Sequence, residues 1–247
     1  MYTDFAYAYD RLMNDVPYEA WARYYAGLLE LYSIRPGARC VECACGTGSL
    51  TIPLAKLGFS MTGMDLSAEM LNLAQQKARE QGMLIPFVRQ DMRKLAVQRP
   101  VDAVLATCDG PNYLTGSNDL LSFFKQAHAA LKPGGVLAFD VSTPYKLASR
   151  LGDRIFTSSE DDMVYVWQGH YSEKHHILDI HLDIFAETEG GLYRRIREDQ
   201  RQRAYSDKEL SELLVSAGFT DIRLFGDRTM AEPAPNSLRW HITAQKE

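Results

Sequence analysis

The chain has 247 residues, 46% of them hydrophobic and 24% charged, with a formal net charge of −5. That balance fits a globular protein long enough to bury a large core, and the net acidity leaves no overall electrostatic footprint for nucleic acid or an anionic membrane. No apolar run approaches the roughly 20 residues that a bilayer-spanning helix requires.

The N-terminal stretch "MYTDFAYAYDRLMND" carries acids early and lacks a basic leader ahead of an apolar segment, so no secretory signal is expected. The four cysteines, at 40, 43, 45 and 108, are too unevenly spaced for a disulfide framework, and a reducing cytoplasm is the expected location. "FAYAYDRLM" sets Phe5, Tyr9 and Leu12 at helical spacing, and Trp21, Tyr24 and Tyr25 follow. Such an aromatic stripe is either the core face of a helix or a lid over a ligand.

From Arg39 to Val141 short β-rich runs alternate with helical patterns. "RCVECA" (39–44) is a strand, and "TGSLTIPLAKLG" (47–58) a helix that stops at Gly58. "SMTGMD" (60–65) is a second strand, and Ser67 caps a helix running to Gly82. "IPFVRQD" (85–91), "VDAVLAT" (101–107) and "GVLAFDV" (135–141) are further strands. Between the last two, "SNDLLSFFKQAHAAL" (117–131) is an amphipathic helix closed by Lys132-Pro133-Gly134-Gly135. This alternation predicts a doubly wound, parallel sheet.

After Tyr145 the pattern changes to longer strands at 162–169, 175–188 and 192–205. In the middle one Leu178, Ile180, Leu182 and Ile184 alternate with Asp179, His181 and Asp183, the period of an antiparallel sheet with one wet face. Arg194, Arg195, Arg197, Arg201 and Arg203 crowd the next strand. Pairing with Asp179, Asp183 and Glu187 across the sheet explains them; otherwise one or two meet an anionic substrate group. His175 and His176, beside a turn, are expected in solvent. Ser206 and Glu209 form a capping box for a helix over 206–218, and "FTDIRLF" and "SLRWHITA" supply two final strands.

The chemistry concentrates in "VECACGTGSLTIPLAKLGFSMTGMDLS" (41–67). Cys40, Cys43 and Cys45 are tightly spaced, but a closed zinc site needs four ligands and only Cys108 is left to join them; small buried strand residues are the simpler reading, and no metal is expected. A strand followed by Gly46-Thr47-Gly48 at a helix start lets a ligand approach the backbone. Asp65 ends the next strand, where a carboxylate can accept both ribose hydroxyls. The dinucleotide fingerprint wants a third glycine where this chain has Thr51. Glu42 on the first strand would repel a pyrophosphate but can face a cationic group. These residues favour S-adenosylmethionine over a nicotinamide cofactor.

"VECACGTGSLTIPLA", with "GMDLSAEML", "RQDMRKL" and "LKPGGVLAFDV", resembles a class I S-adenosylmethionine-dependent methyltransferase. "FAYAYDRLM" and "CDGPNYL" further resemble a bacterial group of small-molecule-type methyltransferases. The resemblance implies an α/β fold: a Rossmann-like, doubly wound seven-stranded sheet, mostly parallel with the last strand antiparallel. It carries an antiparallel β insertion on the substrate side (150–205) and an N-terminal helical lid (1–36), with 37–149 and 206–247 binding the cofactor. It also implies that Glu42 and Ala44-Cys45-Gly46-Thr47-Gly48 hold the methionine portion and that Asp65 takes the ribose. Leu66 and Met70 would pack near the adenine, Asp91 would accept from its amino group and Met92 would cover the ring. Cys108 and Asp109 would line the floor beneath the methyl group. Ala44 stands where the family has a glycine, which is tolerable if its φ is negative.

On this reading Tyr9 or Trp21 lies near the sulfonium, where aromatic faces stabilise a cation. Asp109, Tyr9 and Tyr113 are the candidate proton acceptors, although each also suits a structural hydrogen bond, and an amine binding as the free base needs none. No histidine forms a Ser/His/Asp or Cys/His set. Asp140 ends a strand, but one carboxylate is not a magnesium site. "DGPNYL" shares letters with the Asn/Asp-Pro-Pro-aromatic signature of enzymes that methylate nucleobase amino groups, yet Pro111 precedes Asn112 and there is no double proline. The expected activity is methyl transfer to a nitrogen or oxygen of a small molecule by a monomer or homodimer, with no nucleic acid or membrane partner. A catalytically silent adenosyl-binding module and an NAD(P)-dependent oxidoreductase are the rival readings.

Overall fold

In the computed structural model, which describes residues 4–160 and 162–247, the strand-like runs form two separate sheets. In chain order the strands are β1 (Arg39–Cys43), β2 (Ser60–Asp65), β3 (Phe87–Arg89), β4 (Val101–Ala106) and β5 (Leu131–Ser142). They continue with β6 (Ile155–Glu160), β7 (Met163–Ser172), β8 (Ile177–Thr188), β9 (Leu192–Arg203), β10 (Thr220–Phe225) and β11 (Arg239–Gln245). The larger sheet has seven strands in the order β10-β11-β5-β4-β1-β2-β3, and the smaller has four in the order β6-β7-β8-β9. β11 runs antiparallel to both neighbours, while β1 to β5 pair in parallel. β1 sits between β2 and β4, so the chain reverses direction across the sheet there. A crevice opens at such a switch point, outside the carboxyl ends of the strands.

The central strands read as nearly continuous apolar runs because both faces are covered. Val41, Val104, Leu137 and Phe139 face one layer, α5 (Ser117–Ala130) and α6 (Asp207–Ser216). Their neighbours Cys40, Ala103, Leu105 and Ala138 face the other, α2 (Tyr18–Glu30) and α3 (Thr51–Lys56). The segment expected as a lid therefore divides. α2 (first residue Tyr18, at the crevice) buries Tyr25, Leu28 and Leu29 in the core, and α1 (Asp4–Leu12) crosses the mouth of the crevice, between β9 and α4 (Ala68–Glu80).

Local chemistry accounts for most boundaries. Ser67 accepts from the Met70 amide at 3.2 Å and starts α4. Ser206 likewise accepts from the Glu209 amide at 3.1 Å, but the Glu209 carboxylate is taken by Arg203 and Ser117, so the expected capping box is used on one side. The helix expected over 47–58 begins only at Thr51, because Gly46 and Gly48 have φ of 54° and 72°. Lys132–Gly135, expected as a break, is drawn into β5: Gly134 donates to Lys246 O at 2.7 Å and Lys132 binds Asp102 at 2.5 Å. β6 has no counterpart among the expected strands. It is an edge strand whose Ile155 and Phe156 are exposed, so it shows no buried alternation.

The smaller sheet behaves as its period of two requires. Leu178, Ile180, Leu182 and Ile184 are buried on its inner face, partly against Ala8 and Phe5 of α1. On the outer face Arg201 binds Asp179 at 2.6 Å, Arg195 binds Asp183 at 2.8 Å and His181 binds Asp199 at 2.6 Å. Cross-strand ion pairs thus account for Arg195 and Arg201 of the arginine-rich strand, at exposed positions where such pairs add little to stability.

Candidate functional site

A cavity of about 820 Å³ lies at the switch point, roofed by α1 and walled on one side by β9. Its first wall is the turn after β1. Ala44, Gly46 and Gly48 all adopt positive φ, 53°, 54° and 72°. The condition set for an alanine here, a negative φ, is not met: Ala44 sits in the left-handed region, at a strain of about 1–3 kcal/mol. The chain must turn here to clear the sheet, and room for the extra methyl comes from across the crevice. A Cβ on Gly110 would lie 3.2 Å from the Ala44 Cβ.

The two glycines then differ in duty. A Cβ at Gly46, which lines the cavity, would meet nothing within 4 Å. One at Gly48 would lie 3.1 Å from Ala74 and 3.2 Å from Phe87, so Gly48 seats the turn against α4 and β3 and does not line the cavity. Ala44, Cys45, Gly46 and Thr47 do line it. Asp65 faces the turn and fastens it: its two carboxylate oxygens accept from the Gly46 amide at 2.8 Å and the Ser67 amide at 2.9 Å.

Glu42 lies beneath the same turn, 1% exposed yet part of the cavity wall. The Thr51 hydroxyl donates to one carboxylate oxygen and the Thr107 hydroxyl to the other, the latter at 2.6 Å. Burial pushes this carboxyl up to about 7, more than the two hydroxyls lower it. Thr51 is therefore a positive feature of the site as well as a missing glycine. Cys40 and Cys43 are buried strand residues, and no group of three or more His, Cys, Asp or Glu side chains among the described residues is placed to hold a metal ion.

Leu66, Met70, Asp91 and Met92 line the next part of the wall, beyond the ends of β2 and β3. Asp91 is already engaged: Arg93 reaches it at 2.6 Å, and this pairing holds the carboxyl below its usual range.

The floor follows β4. Cys108 and Asp109 are consecutive left-handed residues, at φ 53° and 67°. Asp140, fully buried, holds them by accepting from both amides, at 2.8 and 3.0 Å, and from the Tyr25 hydroxyl at 2.6 Å. Arg239 bridges Asp140 and Asp109. Cys108 faces the cavity, but Asp109 is turned away from it, toward Arg239, Ser142 and Lys146. Burial raises the Asp109 carboxyl, and the two cations more than offset that and bring it to about 2. The expectation that Asp109 lines the floor and accepts a proton fails for this reason: it is a committed counter-ion. Trp21 is also displaced from its expected place. It stacks 5.0 Å from the Arg239 guanidinium and 5.6 Å from His241, behind the floor and outside the lining.

Tyr9 and Tyr113 do face the cavity, and the Tyr113 hydroxyl donates to Gln200 at 3.1 Å. Burial raises the Tyr9 phenol well above its ordinary value, which opposes a role as a base near neutrality. Several lining or latching residues escaped the sequence reading. Tyr18, Glu198 and Gln200 belong to the wall. Asp10 on α1 binds Lys77 at 2.8 Å and accepts from Thr47 and Ser49, tying the roof to the glycine turn. A signal existed for β9: Glu198, Gln200 and Gln202 occupy the alternate positions that continue the inner, apolar face.

A family model described as a methyltransferase domain matches residues 40–135. Two relatives, provisionally named methyltransferases, are similar over the whole chain. The one from Geobacillus sp. (strain WCH70) is 36% identical and covers 99% of each chain. The one from Bacillus subtilis (strain 168) is 37% identical over 100% of this chain and 97% of its own. The crystal structure of an S-adenosylmethionine-dependent methyltransferase from Clostridium acetobutylicum superposes with a TM-score of 0.90 at 28% identity, covering 99% of this chain and 98% of that one.

Proposed function

This chain belongs to the class I S-adenosylmethionine-dependent methyltransferases, and from that premise we propose that it methylates a nitrogen or oxygen of a small molecule held beneath α1 and beside β9. The observation that carries the reading is the division of one cavity into two chemically different ends. One end offers a bent backbone and the carboxylates of Glu42 and Asp65; the other offers Tyr9, Tyr18, Tyr113, Glu198 and Gln200.

The first end suits S-adenosylmethionine by its donor set. Asp65 would take the ribose hydroxyls, and Leu66, Met70 and Met92 give the adenine an apolar slot. The turn 44–47 would hold the amino-acid portion. Glu42 supplies negative charge where that portion is cationic. A pyrophosphate finds no such complement, because Lys77, the cation beside the turn, is committed to Asp10. When bound, S-adenosylmethionine supplies a methyl group already activated on a cationic sulfur.

The chain's own task is then alignment and exclusion of water. The floor at Cys108 is made rigid by Asp140, and α1 with Phe5 and Tyr9 closes the cavity from above. A neutral amine needs no protein base, which agrees with Tyr9 being raised and Asp109 being held by Arg239. The rest of the reading assigns 37–149 and 206–247 to the cofactor, and the lid segment and 150–205 to the acceptor.

The test is to incubate the protein with methyl-labelled S-adenosylmethionine and a fractionated metabolite extract. Label is expected in a low-molecular-weight fraction, and Asp65→Ala is expected to abolish it. Tight binding of S-adenosylhomocysteine without transfer to any fraction would instead make the chain a silent adenosyl-binding module.

A further inference from the structure

We infer that the acceptor carries a protonated amine, separate from the atom that takes the methyl group, and that Glu198 is the specificity-determining residue that receives it. The inference rests on the methyl-transfer reading and deepens it at the acceptor end of the same cavity. Glu198 sits on β9, in register with Leu182 of β8, on the face of the smaller sheet that is otherwise built from Leu178, Ile180, Leu182 and Ile184. A carboxylate in that row must be desolvated in part, and burial accordingly raises its pKa. Such a group is normally paired. Among the described residues Glu198 has no hydrogen bond or ion pair, and it lines the cavity.

The surrounding charges make an ammonium the fitting partner. Apart from Arg93, the charged side chains lining the cavity are carboxylates, and Arg93 is committed to Asp91 and Asp119. The nearby arginines of β9 do not help an anion. Arg195 and Arg201 are bound to Asp183 and Asp179 on the opposite face, and Arg203 is bound to Glu209 at 2.9 Å. An acidic acceptor would meet an unpaired carboxylate with nothing to offset it. A neutral acceptor would leave the half-buried Glu198 without a partner. An ammonium group satisfies Glu198 through a charge-assisted hydrogen bond. Gln200 and the Tyr113 hydroxyl beside it supply neutral partners for the rest of the molecule. Tyr9, Tyr18 and Phe5 supply faces that attract a cation or stack on an apolar body.

The test uses three probes that differ only in the group presented on one phenol ring: tyramine, tyrosol and 4-hydroxyphenylacetate. Each is titrated calorimetrically into full-length protein saturated with S-adenosylhomocysteine. The wild type is expected to bind tyramine at least about tenfold more tightly than the other two. Glu198→Gln is expected to lose that preference while its affinity for S-adenosylhomocysteine stays within about twofold, and Glu198→Asp to keep part of it. The unchanged nucleoside affinity separates loss of recognition from loss of fold. No preference for the amine in the wild type, including failure to bind any of the three, overturns the inference, as does a preference that survives in Glu198→Gln. Failure of the wild type to bind S-adenosylhomocysteine overturns the methyl-transfer reading instead.

Discussion

The two ends of the cavity are built by different means. The proposed methionine- and ribose-binding part of the cofactor end comes from one contiguous stretch, 42–67, in which backbone amides, a carboxylate and positive φ angles lock one another. The acceptor end is assembled from α1, the turn at Gly110–Tyr113 and β9, segments that lie far apart in sequence. A contiguous, hydrogen-bonded loop has little freedom to change one residue without moving the others. An assembled wall can exchange side chains with little effect on the seven-stranded sheet. On the proposed function, the contrast puts cofactor binding in backbone geometry and acceptor choice in side chains.

The sharpest way to break that contrast is to attack the support shared by both ends. Arg239→Gln would leave buried Asp140 without its cation and Asp109 beside it with Lys146 alone. Breaking a buried pair in this way costs about 3–5 kcal/mol, read as a fall in unfolding free energy in urea. A loss below about 1 kcal/mol would mean that the floor is held by other contacts. Next, Asp65→Ala removes the acceptor of two amide hydrogen bonds and the candidate ribose ligand. At about 1.5 kcal/mol for each charge-assisted bond, the affinity for S-adenosylhomocysteine should fall roughly a hundredfold in calorimetry.

Glu42→Gln sharpens the comparison through pH. Its folded pKa, about 7, stands above the ordinary glutamate value. The native state therefore keeps a proton that the unfolded chain has already released. The stability linked to that proton is complete below the unfolded pKa and is lost as pH rises through about 7. Stability of the wild type relative to the glutamine variant should fall by up to about 3 kcal/mol between pH 4 and pH 8 in denaturation series. Donor affinity should move the opposite way, with the variant weaker by about tenfold at pH 8 and nearly equal at pH 5.5. A pH-independent difference would show that Glu42 keeps one protonation state throughout. The smallest effect belongs to the outer face of the smaller sheet. Asp183→Asn removes an exposed ion pair and should leave the urea unfolding midpoint nearly unchanged, with methyl transfer unaltered.

Much of the fold was legible because it rests on local rules. β2 ends where the apolar run ends, Ser67 caps α4, and β8 buries every second residue. Asp65 and the glycine turn could be found because their spacing follows from one strand–turn–strand unit. What escaped depended on partners distant in the chain. Asp109 looks like a lining acid until Arg239, 130 residues away, is seen to hold it. Trp21 looks like part of a lid until α2 carries it to the back of the floor. Asp10 gives no local sign that it latches the roof, and β6 gives none that it is a strand.

The amino-acid sequence by itself determined the alternation of strands and helices, the turn that bends at Gly46 and Gly48, and the pair of acids beside it, since these follow from hydrophobic period, φ preference and short spacing. Only the tertiary structure decided which acids face the cavity, which are bound by buried cations, and that Glu198 has no partner among the described residues. The physical reason is that a carboxylate's role depends on its desolvation and on the charges within a few ångströms, and both are set by segments that meet only when the chain has folded.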